Sequence, residues 1–84
     1  MTEDMKQQLK DQFPENFIIE IATEYAEEGS CKIRGLLGQY AIVIEWYYNE
    51  EPTTVFLAAT SISGQSKTGP CEISNLKNAL LSLS

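Results

Sequence analysis

The stretch GLLGQYAIVIEWYYNEEP, Gly35 to Pro52, places four of the chain's eight aromatic residues within nine positions, Tyr40 to Tyr48. Read with a period of two, Tyr40, Ile42, Ile44, Trp46 and Tyr48 share one face of a strand. Ala41, Val43, Glu45, Tyr47 and Asn49 share the other. The first set is uninterrupted and apolar, so it reads as a core face. The second is half apolar, the pattern of a central strand that needs cover on both sides. A central strand over residues 40–49 requires a neighbour on each flank, and the search for those neighbours sets the rest of the fold.

Upstream, Gly35-Leu36-Leu37-Gly38 reads as a two-residue reversal with leucines at its tip, placing Ile33 opposite Tyr40 and Arg34 opposite Gln39. The preceding segment alternates, with Cys31 and Ile33 inward and Lys32 and Arg34 outward. Before it, Glu27-Glu28-Gly29-Ser30 is a turn, and Phe17 to Ala26 is rich in β-branched residues and reads as a strand. Strict alternation there puts Phe17, Ile19, Ile21, Thr23 and Tyr25 on one side, and Ile18, Glu20, Ala22, Glu24 and Ala26 on the other. A hairpin between the two segments then sets Lys32 and Arg34 beside Glu20 or Glu24.

Downstream, Asn49 to Pro52 is a turn and Thr53 to Ile62 a fourth strand, in which Val55, Leu57 and Ala59 oppose Phe56, Ala58 and Ile62. Residues 61–70 are polar and contain glycine, and read as a loop. Helices close both ends. Thr2 is the expected cap of the first, Met5, Leu9 and Phe13 form its apolar stripe, and Pro14 stops it. Leu76, Ala79, Leu80 and Leu83, with Leu81 widening the stripe, predict a second helix from Ser74 to Leu83, with Ser74 as cap and Ile73 as staple. The expected fold is α+β: one domain over residues 1–84, an N-terminal helix, a four-stranded antiparallel meander and a C-terminal helix, in the order α-β-β-β-β-α.

In this order of elements, IRGLLGQYAIVIEWYYNEEPTTVFL resembles the first half of ubiquitin-conjugating and RWD-type domains: a glycine, a tyrosine-led apolar strand, a proline and another strand. The Tyr-Pro-x-x-x-Pro turn and the His-Pro-Asn segment of those domains are absent. The resemblance is one of topology and transfers no functional residue.

Composition narrows function by exclusion. A chain of 84 residues that is 43% hydrophobic and 21% charged has the make-up of a folded domain. At this size it buries only about 60% of its unfolded surface, so the core is small. Its apolar runs are far shorter than a membrane span, and the polar start Met1–Lys6 carries no secretory core, so the expected location is the cytoplasm. Twelve acidic against six basic residues give a net charge of −6, with Lys32 and Arg34 the only close basic pair. Phosphate binding needs a basic stripe, so direct nucleic-acid binding is not expected. The aromatics of residues 46–48 neighbour Glu45, Glu50 and Glu51, which would repel a phosphate backbone.

Candidates for chemistry fall away in turn. SGQSKTG, Ser63 to Gly69, lacks the glycine that a phosphate-binding loop needs before its lysine. With no histidine, Cys71 has no evident base, and Cys31 and Cys71 do not make a zinc site. Whether the two cysteines pair is left open by the sequence. Glu45, mid-strand among apolar neighbours, is the most unusual acid; pairing with Lys32 or Arg34 is its ordinary explanation. No catalytic residue, metal site or cofactor is therefore expected.

The expectation is a small acidic protein-interaction module, of the adaptor, immunity or inhibitor kind, acting on a basic partner such as a nucleic-acid-handling protein. The residues expected to bind it are Leu36 and Leu37 at the tip, Glu45 and Tyr47 on the second sheet face, and Glu50 and Glu51 in the adjoining turn. Two alternatives stand beside it: a homodimer that buries the second sheet face, and a binder of a small apolar ligand.

Overall fold

The computed structural model describes residues 1–83. Helix α1 (Glu3–Lys10) is followed by five strands, β1 (Ile18–Tyr25), β2 (Ser30–Leu37), β3 (Tyr40–Trp46), β4 (Thr54–Ser61) and β5 (Ser66–Glu72). A short 3-10 turn (Ile73–Asn75) leads into helix α2 (Leu76–Leu81). The strands form one antiparallel sheet in chain order, β1-β2-β3-β4-β5. The α+β class and the central position of β3 are as expected. The sheet has five strands rather than four.

The additional strand corrects the reading of residues 61–70 as a loop. Ser66–Glu72 (SKTGPCE) has little intrinsic strand character and owes its conformation to pairing with β4 through Thr60↔Ser66 to Thr54↔Glu72. Its position at the sheet edge is what tolerates Pro70, which has no N–H to give a second neighbour.

Both helices lie on one side of the sheet. Across that inner face, Cys31 faces Trp46, Ile33 faces Ile44, and Ile44 in turn faces Leu57. Leu9 of α1, with Ile73, Leu76 and Leu80 at the other end of the chain, packs on these side chains in a single core cluster. The turn after α1 is also tied to α2, the Lys77 amide donating to Gln12 Oε1 at 3.2 Å. Thr2 caps α1 as expected, its Oγ1 accepting from the Met5 amide at 3.1 Å. The second helix is shorter than expected: Ser74 falls inside the 3-10 turn, Asn75 takes the cap position with its side chain bonded to Asn78 rather than to a backbone amide, and Leu81 is 46% exposed.

Three local readings change. The reversal before β3 is Gly38-Gln39, not Leu36-Leu37: Leu37 pairs with Tyr40, and Gly38 takes the positive φ of 59° that a tight hairpin requires. Ile33 accordingly faces Ile44 rather than Tyr40, and Arg34 faces Val43 rather than Gln39. The strand also ends at Trp46, so residues 47–49 belong to the following turn.

The third change is in β1. A bulge between Ile19 and Ile21 interrupts the alternation. Phe17 and Ile19 lie on the helix side, as do Ala22 and Glu24 beyond the bulge, while Ile18, Ile21 and Thr23 turn to the opposite face. Phe17 covers the space above Gly35, where a Cβ would sit 2.4 Å from the Ile18 carbonyl oxygen and 2.7 Å from the Phe17 ring. Phe17 also meets Phe13 edge-on at 5.0 Å. The same shift moves Glu24 away from Lys32 and Arg34, whose β1 neighbours are Thr23 and Ile21. The expected pairing of this basic couple with Glu20 or Glu24 does not form.

Candidate functional site

With both helices on the inner face, the outer face of the sheet has no covering layer. Three rows cross it in register: Ile18, Leu36, Ala41 and Thr60; Ile21, Arg34, Val43 and Ala58; and Thr23, Lys32, Glu45, Phe56 and Pro70. Ile18 is 62% exposed, Ile21 55%, Phe56 44% and Leu36 41%. The half-apolar pattern of β3's second face is thus real, and nothing among the described residues covers it.

At one end of this face the strands run into an open cleft of about 460 Å³, whose lining includes Glu45, Tyr47, Glu50, Glu51, Phe56 and Pro70. Backbone geometry sets its shape. The Tyr47 carbonyl accepts from the amides of both Glu50 and Glu51, at 3.1 and 2.8 Å, which holds the two carboxylates in a tight turn beside the ring. The Tyr47 hydroxyl donates to Glu45 Oε2 at 3.0 Å. That bond, then the Glu45 charge, slight burial and the charges of Glu28 and Glu50, push the Tyr47 phenol above its ordinary pKa. Several carboxylates with two aromatic side chains make a cleft suited to an amine or guanidinium, which gains from both charge and ring faces.

Four of the six residues expected to bind a partner, Glu45, Tyr47, Glu50 and Glu51, therefore line one cleft. Leu36 shares the outer face but lies opposite Ala41, about 13 Å along the sheet from Glu45 at the rise of a strand. Leu37 is fully buried on the inner face and is a core residue, not part of a tip. Glu45 stands directly opposite Lys32 in the register, yet among the described residues no ion pair joins them. Phe56 and Pro70 also line the cleft, and the sequence does not mark them for it: Phe56 lies on a strand whose two faces are equally apolar, and Pro70 in a stretch that reads as a loop.

Elsewhere, chemistry is quiet. Burial, and secondarily the Glu24 charge, push the Cys31 thiol up to about 11, and burial followed by Glu72 raises Cys71. Both are free thiols, and β3 and β4 separate their strands by about 14 Å, twice the reach of a disulfide. Among the described residues no group of three His, Cys, Asp or Glu side chains is arranged to hold a metal ion. Among the described residues no helix is long and apolar enough to cross a membrane.

A second open cleft of about 690 Å³ lies between β5 and α2, with Leu57, Gly69, Cys71, Ala79 and Leu83 among its lining. A third, of about 230 Å³, lies between α1 and β1. Compared with known proteins, the chain matches no family model, no curated protein and no solved structure.

Proposed function

We propose that this protein is a non-enzymatic interaction module that docks a basic protein partner on its outer sheet face, with the Glu45–Tyr47–Glu50–Glu51 cleft receiving a lysine or arginine side chain. The observation that carries this reading is the coincidence of a bare, half-apolar sheet face with that cleft at its end. Apolar contact supplies area, and carboxylates beside aromatic rings supply preference for a cation. The net charge of −6 steers a basic partner and discourages a second copy of the same chain. An adaptor, an immunity-type protein or an inhibitor occupying the basic cleft of a nucleic-acid-handling protein all use such a surface. The cytoplasm is the compartment that suits it, where free thiols persist.

A photo-crosslinking residue in place of Phe56, with the same label at Asn78 on α2 as control, tests the proposal in the native host. Crosslinking from Phe56 to a basic protein, lost on Tyr47→Ala and absent from Asn78, is the expected result. A crosslinked dimer of the chain, matched by a doubled mass in light scattering, would instead establish the homodimer, which the same bare face favours. Equal crosslinking from both positions would remove the outer face from consideration.

A further inference from the structure

The two edges of the sheet are built differently. The β5 edge carries Lys67 and Pro70, two residue types that block strand addition. The β1 edge, Ile18–Tyr25, carries no lysine and no proline, and almost all of it is exposed. Of the nine large exposed hydrophobic residues among those described, four are on β1 (Ile18, Ile19, Ile21 and Tyr25), and a fifth, Leu36, lies opposite Ile18 on β2. The exposed apolar surface of this protein is concentrated at one sheet edge.

Beside that edge, on the helix side, runs the groove of about 230 Å³ between α1 and β1. Its lining is chiefly apolar, with Leu9, Phe13, Ile19 and Ala22 contributing, and Lys6 and Lys10 stand on its α1 wall. Glu24 also lines the groove but is held by the Met1 ammonium, with Lys6 a weaker influence on it. Lys6 otherwise makes a 3.5 Å contact with the exposed Glu3, and among the described residues Lys10 has no ion-pair partner. An extended chain laid against β1 at the usual 4.8 Å spacing sends alternate side chains to opposite faces. One set enters this groove; the other lies beside Ile18 and Ile21.

We infer that the free edge of β1 is a docking site for an extended segment of another protein, added as a sixth strand, with apolar side chains at alternate positions and a carboxylate placed beside Lys6 and Lys10. Backbone pairing supplies the affinity and the groove supplies the selectivity, as in other strand-addition complexes. The occupant is not a second β1. That strand carries Glu20 and Glu24 and no basic residue, so antiparallel pairing with its own copy gathers like charges. Pairing with the β5 edge of another copy meets Pro70 and generates an open fibre rather than a closed dimer. The bulge at Glu20 limits how long a strand can be added.

The β1 edge and its groove share Ile18, Ile21 and Leu36 with the outer face but none of the lining of the Glu45–Tyr47 cleft, so the two proposals are told apart by whether β1 or the cleft responds. The test uses the full chain and a panel of short capped peptides with Val, Leu, Ile or Phe at alternate positions and Asp or Glu at one groove-facing position. Each peptide has a partner N-methylated along the pairing edge, which cannot join a sheet.

The expected result is perturbation and slowed hydrogen exchange of the β1 amides with at least one unmethylated peptide, and none with its methylated partner. Lys6→Glu with Lys10→Glu, a surface change that leaves the core intact, weakens that binding about fivefold, the size that two exposed ion pairs supply. Perturbation confined to β3 and β4, or no perturbation by any peptide at millimolar concentration, overturns the proposal. Concentration-dependent β1 shifts in the protein alone would also overturn it, by making a second copy the occupant.

Discussion

Glu24 accepts two hydrogen bonds on one oxygen, from the Met1 ammonium and from the Tyr48 hydroxyl, both at 2.7 Å. These bonds, the ammonium first and the phenol second, hold its carboxyl below the ordinary value of 4.5. The Tyr48–Glu24 bond, then burial and the Glu24 charge, push Tyr48 up to about 12. A depressed carboxylate stabilises the fold above its unfolded pKa, and that contribution is lost as pH falls through the folded value. A raised phenol contributes below 10, and its contribution is lost as pH rises toward 12. Urea midpoints measured from pH 3 to 7 are therefore expected to fall on the acid side, with a smaller fall in Tyr48→Phe; an unchanged acid slope would remove Glu24 from that role. Gly35 is constrained by close approach, since any Cβ meets backbone and the Phe17 ring. Gly35→Ala is expected to cost about 1–3 kcal/mol by overpacking, read from the shift in urea midpoint.

At the scale of elements, the two leucines before the hairpin separate cleanly. Leu37 is fully buried and Leu36 is 41% exposed, so Leu37→Ser is expected to destabilise by several kcal/mol, about 3, and Leu36→Ser by about 0.5 or less. Thermal melts of the two variants check this, and equal shifts would contradict the register of the β2–β3 hairpin. Helix α2 is six residues long and cannot persist alone, so its order rests on Leu76 and Leu80, both with no exposed surface. Leu80→Ala is expected to cost about 2–5 kcal/mol and to release α2 before the sheet, visible as loss of amide protection there first. Trp46, on β3, is buried with its indole Nε1 unpaired and its ring 5.8 Å from that of Tyr48. Its fluorescence follows the sheet rather than the helix.

For the molecule as a whole, association with a basic partner through the outer face is expected to weaken with salt, because part of its attraction is screened. A docking constant that does not change between low and physiological ionic strength would remove charge as the selecting force. The sequence by itself determined the central strand, the hairpin partners on either side, the α1 cap and the acidic surface. Each is a local signal: a period of two in Tyr40–Trp46, a threonine before Glu3, glutamates in a turn. It did not show the fifth strand, because SKTGPCE is ordered by pairing with β4 and not by its own propensity. Nor did it show the bulge at Glu20, since one inserted residue exchanges the faces of everything beyond it without altering composition. The core face of β3 was legible, and Ile42, Ile44 and Trp46 are buried on it; which face of β4 the helices cover was undetermined, because that strand is apolar on both sides. Packing of Leu9, Leu76 and Leu80 onto the Trp46 face decided that question. The bare outer face and the free β1 edge follow from that choice, since two short helices have apolar surface enough for one side of a five-stranded sheet.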